Sequence, residues 1–234
     1  MFDKNVQKAV NINKELIKNN LVIFTWGNAS VISKDKNHFY IKPSGVPFEN
    51  LTMMKMAKIE ITSGIHSSGL TPSVDTPTHL ELYRHFNNIG AIIHTHSTYA
   101  TAFAQAKRPI PCIGTTHSDY FYGDIPIIKD LTKEQIENNY EKNTGLKIVE
   151  YFNENKIDPL CMSAALVPNH GVFVWGTTAE QALQNAIILE KIAEMSYRTL
   201  NILNANGRHQ EMDVNLLNKH FFRKHGPGKY YGQN

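Results

Sequence analysis

Two histidines one residue apart, His94 and His96 in GAIIHTH, close an apolar run. If that run is a strand, its period of two turns both imidazoles to one face, close enough to share a divalent ion. A third imidazole, His170 in LVPNHGVFVW, ends another apolar run and precedes a glycine that lets backbone or substrate approach. Asp75 stands just before Thr76-Pro77, a pair that opens helices, so the helix dipole would keep its carboxylate ionised. An isolated His-x-His is commonplace in surfaces and cores. Three imidazoles and a carboxylate, all at element ends, make a metal centre as good a reading as surface or core histidines. That donor set suits zinc, and manganese or cobalt fits the same ligand types.

A second group of residues suits an anion. Gly27-Asn28, Ser44-Gly45 and Ser73 are small positions in breaks between strands or before a helix, where backbone N–H groups are free to cradle a phosphate. Lys42 adds a positive charge beside one of them. Each signal alone reads equally as a turn or a bulge. The carboxy-terminal stretch holds Lys219, His220, Arg223, Lys224, His225 and Lys229 with no acidic residue after Asp213, either a solvated helix face or a phosphate clamp.

The elements that must position these residues can be traced by periodicity. Val6, Val10, Leu16 and Ile17 recur at helical spacing, and residues 21–32 then read as β-rich, broken at Gly27-Asn28. His38 to Ile41 reads as a strand ending in the turn Lys42-Pro43-Ser44-Gly45, Thr52 to Met56 as a short helix, and Ala57 to Thr62 as a strand. A helix is expected from Thr76 to about Phe86, a strand from Ile89 to Thr95, and an Ala-rich helix from about Tyr99 to Ala106. Pro109 to Pro126 reads as a functional loop with a short strand inside, and Thr132 to Asn155 as helix broken near Thr144-Gly145. Strands at Ala164–Val167 and Val172–Trp175, the longest helix from Thr178 to Leu203, and an amphipathic helix from about Val214 to Lys224 complete the chain. Trp26 and Trp175 read as packing residues.

The 234 residues are 41% hydrophobic and 19% charged, a globular composition that excludes a disordered or fibrous chain. A formal charge of +3 is too small a field to imply nucleic acid or a membrane surface as partner, while a small anion remains open. No apolar stretch reaches the roughly 18 to 20 residues that span a bilayer, and MFDKNVQKAV lacks the apolar core of a signal peptide, so a cytoplasmic protein is expected. Cys112 and Cys161 lie too far apart in sequence for a disulfide framework or a Cys-based zinc motif. With no repeat, linker or Gly-x-Gly-x-x-Gly turn, a single α/β domain over residues 1–234, with a central sheet flanked by helices, is the simplest reading.

The motifs TWGNAS, IKPSG, SVDTPTHLELYRHF, IIHTHSTYAT, GTTHSDYFYGDIP, NHGVFVWG, KHFFRKHG and KYYGQ, in this order, resemble the class II aldolase/adducin family, and within it the pentulose-phosphate 4-epimerases. The resemblance runs almost the whole chain. It implies a mostly antiparallel sheet flanked by helices, a cyclic homotetramer with active sites at subunit interfaces, and a phosphorylated pentulose substrate. It implies metal ligation by Asp75, His94, His96 and His170, with zinc as the usual ion. The phosphate is expected among Gly27, Asn28, Ser44, Gly45, Ser73 and Val74, with Lys42 nearby, Arg223 reaching in from a neighbouring subunit and His220 touching substrate. Asp119 and Tyr231 correspond to the proton-transfer pair.

One position departs from the family pattern, and the next separates the alternatives within this resemblance. The family commonly has Ser-Ser-Asp where this chain has Ser73-Val74-Asp75, and valine keeps its backbone N–H but loses a hydroxyl. Aldolases of the family carry a glutamate at the position of Asp75, long enough to leave the metal and act as a base. The shorter aspartate favours an epimerase that cleaves C3–C4 and re-forms it with C4 inverted. A sugar-phosphate aldolase stopping after cleavage is the alternative, and a non-catalytic adducin-like module a third, disfavoured by the retained histidines.

Overall fold

The computed structural model describes residues 3–206, 212–227 and 229–230. Helix α1 (Lys4–Lys18) begins where the Asp3 carboxylate accepts from the Asn5 amide, and buries Val6, Ala9, Val10, Ile12, Asn13 and Leu16. Seven strands follow along the chain: β1 (Asn28–Ile32), β2 (His38–Ile41), β3 (Ala57–Glu60), β4 (His66–Ser68), β5 (Ala91–Thr95), β6 (Ala164–Val167) and β7 (Gly171–Gly176). They form one sheet in the order β4-β3-β2-β1-β5-β7-β6, and each neighbouring pair is antiparallel. The expected fold class, a mostly antiparallel sheet flanked by helices, is the one observed.

Helices α2 (Thr76–His85) and α6 (Tyr140–Glu154) pack on each other and on one face, where Phe86, Phe152 and Trp175 form an aromatic cluster. Side-chain alternation on β1 shows the two faces: Ser30 meets His79 of α2, while the adjacent Ala29 lies toward α1, whose Asn13 bonds both its N–H and its C=O. Helices α3 (Thr98–Gln105) and α7 (Ala179–Asn206) join α1 in a second packed layer. Glu190 of α7 accepts the Tyr99 and Ala100 amides, satisfying orphan donors in the first turn of α3. Two short helices, α4 (Thr115–Ser118) and α5 (Lys133–Glu137), and α8 (Val214–His225) complete the molecule. Among the described residues no helix is long and apolar enough to cross a membrane.

Three local expectations are corrected, and one strand escaped the sequence reading. Residues 21–27 are not strand: Phe24 has a left-handed backbone (φ 54) and the Trp26 amide turns back to the Ile23 carbonyl. Residues 52–56 form a turn, with Lys55 N–H on the Thr52 carbonyl, and the helical turn sits earlier, at Phe48–Asn50. The edge strand β4, polar and exposed throughout, carried no apolar alternation by which to find it. The helix over 132–155 is broken at Asn138-Asn139, where Asn139 takes φ 61, and not at Gly145. Gly145 is there for close approach: a Cβ on it would lie 2.9 Å from the Thr78 carbonyl oxygen of α2.

Candidate active site

The metal-type cluster is assembled from three elements. His94 faces Phe173 across the β5–β7 pair and stacks on it with ring centroids 4.3 Å apart. Its Nδ1 lies 3.1 Å from the Val172 carbonyl oxygen, an acceptor, so Nδ1 carries the proton and Nε2 holds the lone pair. That Nε2 is 3.1 Å from His96 Nε2 and 4.0 Å from Asp75 Oδ2. His170 sits in the β6–β7 turn after Asn169, whose φ is 58. Donor atoms of His94, His96 and His170 all lie within 4.8 Å of one another. Two nitrogens each about 2.0–2.1 Å from a tetrahedral ion stand roughly 3.3 Å apart, so this convergence fits the group.

The protonation states agree. Burial lowers the pKa of His94, His96 and His170, with Asp75 pulling in the opposite direction, so the imidazoles are biased toward the neutral form that binds metals. Burial alone would raise Asp75, but His94, His79, His170 and the Asn28 hydrogen bond hold its carboxyl below the usual range. Asp75 occupies the cap position of α2 without making a cap bond, leaving its oxygens to face the histidines. Asn28 donates from Nδ2 both to Asp75 Oδ2 at 2.7 Å and to Ser73 Oγ at 2.9 Å. Both amide hydrogens are thereby engaged within the site.

An anion pole adjoins this cluster. A cavity of about 460 Å³ is lined by the cluster and by Gly27, Asn28, Lys42, Ser44, Gly45, Ser73 and Val74. Lys42 is 2% exposed; among the described residues its ammonium has two long contacts, 3.4 Å to the Thr25 and Pro43 carbonyls, and it lies 4.7 Å from the Phe48 ring centroid. Burial lowers its pKa, and no carboxylate among the described residues pairs with it. Among the described residues no acceptor meets the backbone N–H of Gly27, Gly45 or Val74. Gly27 has φ +80, and a Cβ there would meet the His94 carbonyl oxygen at 2.7 Å. A buried cation with no counter-charge among the described residues, in one cavity with open N–H donors, suits an anion.

The remaining expected residues lie elsewhere. Asp119, ending α4, receives three Arg223 bonds, from Nε and Nη2 to Oδ1 at 3.1 and 2.9 Å and from Nη2 to Oδ2 at 2.8 Å, with His220 Nδ1 at 3.1 Å and Lys224 at 3.6 Å. Burial opposes its ionisation, but the Arg223 and His220 hydrogen bonds outweigh it and hold the carboxyl below its ordinary range. Arg223 thus meets Asp119 of its own chain. Among the described residues, Asp119, His220 and Arg223 do not line the cavity. Tyr231 lies outside the described residues.

Three residues escaped the sequence reading. Thr25 and Trp26 line the cavity, and Trp26 is 56% exposed, which corrects its reading as a packing residue; Trp175, fully buried, is one. Tyr140, at the start of α6, places its hydroxyl 3.2 Å from His170 Nδ1. Its only signal was the aromatic after two asparagines at a helix start.

Comparison with known proteins agrees with this architecture. The family model for the class II aldolase and adducin N-terminal domain matches residues 7–197. The L-ribulose-5-phosphate 4-epimerase UlaF of Salmonella paratyphi C (strain RKS4594) is 43% identical over 227 residues, covering 97% of this chain and 97% of that protein. The protein of the same name from Salmonella choleraesuis (strain SC-B67) matches to the same extent. Among solved structures, an L-fuculose 1-phosphate aldolase superposes with a TM-score of 0.75 at 22% identity, over 94% of this chain and 95% of that one, a likeness of fold. The chain belongs to the class II aldolase and adducin family, whose metal dependence its imidazole triad can serve.

Proposed function

We propose that this protein interconverts L-ribulose 5-phosphate and D-xylulose 5-phosphate, inverting C4 by breaking and re-forming the C3–C4 bond. The observation that carries the reading is one cavity with a metal-type pole at one side and an uncompensated buried lysine at the other. The similarity to the two epimerases supports the choice of substrate. The C4 hydrogen is not adjacent to the ketone and is not acidic, so simple deprotonation cannot invert that carbon. Removing the proton of the C4 hydroxyl instead allows its electrons to form an aldehyde as C3–C4 breaks, leaving an enediolate and glycolaldehyde phosphate. Rotation of the aldehyde and re-addition to its other face return the opposite configuration, with the proton restored to the C4 oxygen.

A divalent ion, zinc in our reading, held by Asp75, His94, His96 and His170 would supply Lewis-acid stabilisation of the negative charge that cleavage develops. Lys42 and the Gly27, Gly45 and Val74 amides would hold the phosphate, with the Ser73 and Ser44 hydroxyls beside them, and Asn28 would keep Asp75 and Ser73 in place. Holding the phosphate keeps the aldehyde fragment bound while it turns, as re-addition requires. Asp119 and Tyr231 are assigned the proton transfers. Because Asp119 stands with Arg223 and His220 away from its own chain's cavity, we assign it and Tyr231 to the site of a neighbouring copy in a homotetramer.

The test is incubation of zinc-loaded protein with L-ribulose 5-phosphate. D-Xylulose 5-phosphate should accumulate, and chelation should stop it while the fold persists. Net release of dihydroxyacetone and glycolaldehyde phosphate without xylulose phosphate would make the protein an aldolase instead.

A further inference from the structure

Of the three imidazoles, two have their far nitrogen occupied. His94 Nδ1 is held by the Val172 carbonyl at 3.1 Å, and His170 Nδ1 by the Tyr140 hydroxyl at 3.2 Å. For His94 the partner is a carbonyl and the tautomer follows. For His170 the partner is a phenol, which can either accept or donate, so the tautomer depends on how the pair is used. Only one choice leaves a lone pair on Nε2: Nδ1 donating and the phenol oxygen accepting.

The phenol is held in place by more than chance contact. Tyr140 opens α6 directly after Asn139, whose left-handed backbone (φ 61) sets the corner between α5 and α6. Asn143 braces that corner by donating to the Gln135 and Asn138 carbonyls at 2.9 and 2.6 Å, and Thr144 donates to the Tyr140 carbonyl at 2.9 Å. One residue on, the Glu141 carbonyl accepts from Thr78 of α2 at 2.6 Å. The helix that carries Tyr140 is therefore fastened to the helix whose first turn presents Asp75. The two rings sit 6.0 Å apart, centroid to centroid, tilted by 41°.

We propose that Tyr140 is a positioning residue of the metal centre: its hydroxyl oxygen accepts the His170 Nδ1–H, which sets the ring's orientation and presents Nε2 to the ion. This rests on the metal-centre reading above. Through α6 and α2, the same brace couples the placement of His170 to that of Asp75.

The experiment measures zinc affinity by competition with a chromophoric chelator, and the visible absorption of the cobalt form, on wild type, Tyr140→Phe, His170→Asn and the double variant. Tyr140→Phe keeps the ring and removes the acceptor, and should weaken zinc binding about 10- to 100-fold and shift the cobalt bands, with apo melting little changed. In the His170→Asn background the same change should have no further effect, since its route to the metal is gone. Should the phenylalanine variant not fold, Tyr140→Leu replaces it in the same cycle. Wild-type affinity and unchanged cobalt bands in Tyr140→Phe, or an equal loss in both backgrounds, would overturn the role of Tyr140 alone. Wild-type protein that takes up no metal would overturn the metal centre and this role together.

Discussion

Lys42 is a buried ammonium whose nearest polar neighbours are two carbonyls at 3.4 Å, an arrangement that lowers stability unless an anion arrives. Replacing it by methionine, of similar length and apolar, separates ligand binding from folding. Lys42→Met is expected to raise KM for the sugar phosphate about 10- to 100-fold, from the roughly 1.5–3 kcal/mol of a charged hydrogen bond, while melting temperature holds or rises. Unchanged KM with a lower melting temperature would mean the lysine serves the fold and not the ligand. At this scale the sequence was most legible where chemistry is local: His94, His96 and Asp75 announce themselves by spacing and by the helix start. Tyr140 meets His170 across 30 residues, and Asn28 meets Asp75 across 47, so no local pattern could reveal either bond.

Helix α8 meets the end of α4 through one carboxylate, Asp119, which gathers Arg223, His220 and Lys224, and beside it packs Phe221 and Phe222 on Tyr122. The folded pKa of Asp119 is depressed, so its contribution is complete above the unfolded carboxyl value of about 3.9 and is lost as pH falls below it. Amides of residues 214–225 are expected to lose protection as pH falls below about 4, after correction for intrinsic rates, before those of β5 and β7. Asp119→Asn should show the same loss already at neutral pH. Protection of α8 that tracks the sheet at every pH would deny this carboxylate its clamping role. Element boundaries were readable wherever apolar period and end signals coincided, as at α1, α2, β5 and β7. They failed where a glycine served packing, at Gly145 against Thr78, and where asparagine supplied the positive φ that ends a helix.

Among the described residues the candidate functional residues fall into two groups, the cavity with its imidazoles and lysine, and the cluster of Asp119 with α8. Active sites shared between copies would join them. Mixing Tyr231→Phe with His96→Asn, after dissociation and reassembly, is expected to restore activity at about a quarter of the sites in random rings, where both parents are nearly inactive. Hybrid assemblies confirmed by mass but showing no gain over the parents would contradict the shared site. A mostly antiparallel sheet flanked by helices followed from alternation and family likeness, but the strand order and which groups share a cavity within one chain did not, because they depend on contacts distant in sequence.

The central claim is that C4 inverts by bond cleavage, and its most direct test is conversion of L-ribulose 5-phosphate in D2O followed by NMR of the product. The C4 hydrogen becomes the aldehyde hydrogen of the cleaved fragment and never exchanges, so D-xylulose 5-phosphate should form with protium retained at both C3 and C4. Deuterium at C4 would mean inversion by deprotonation, and would contradict the account.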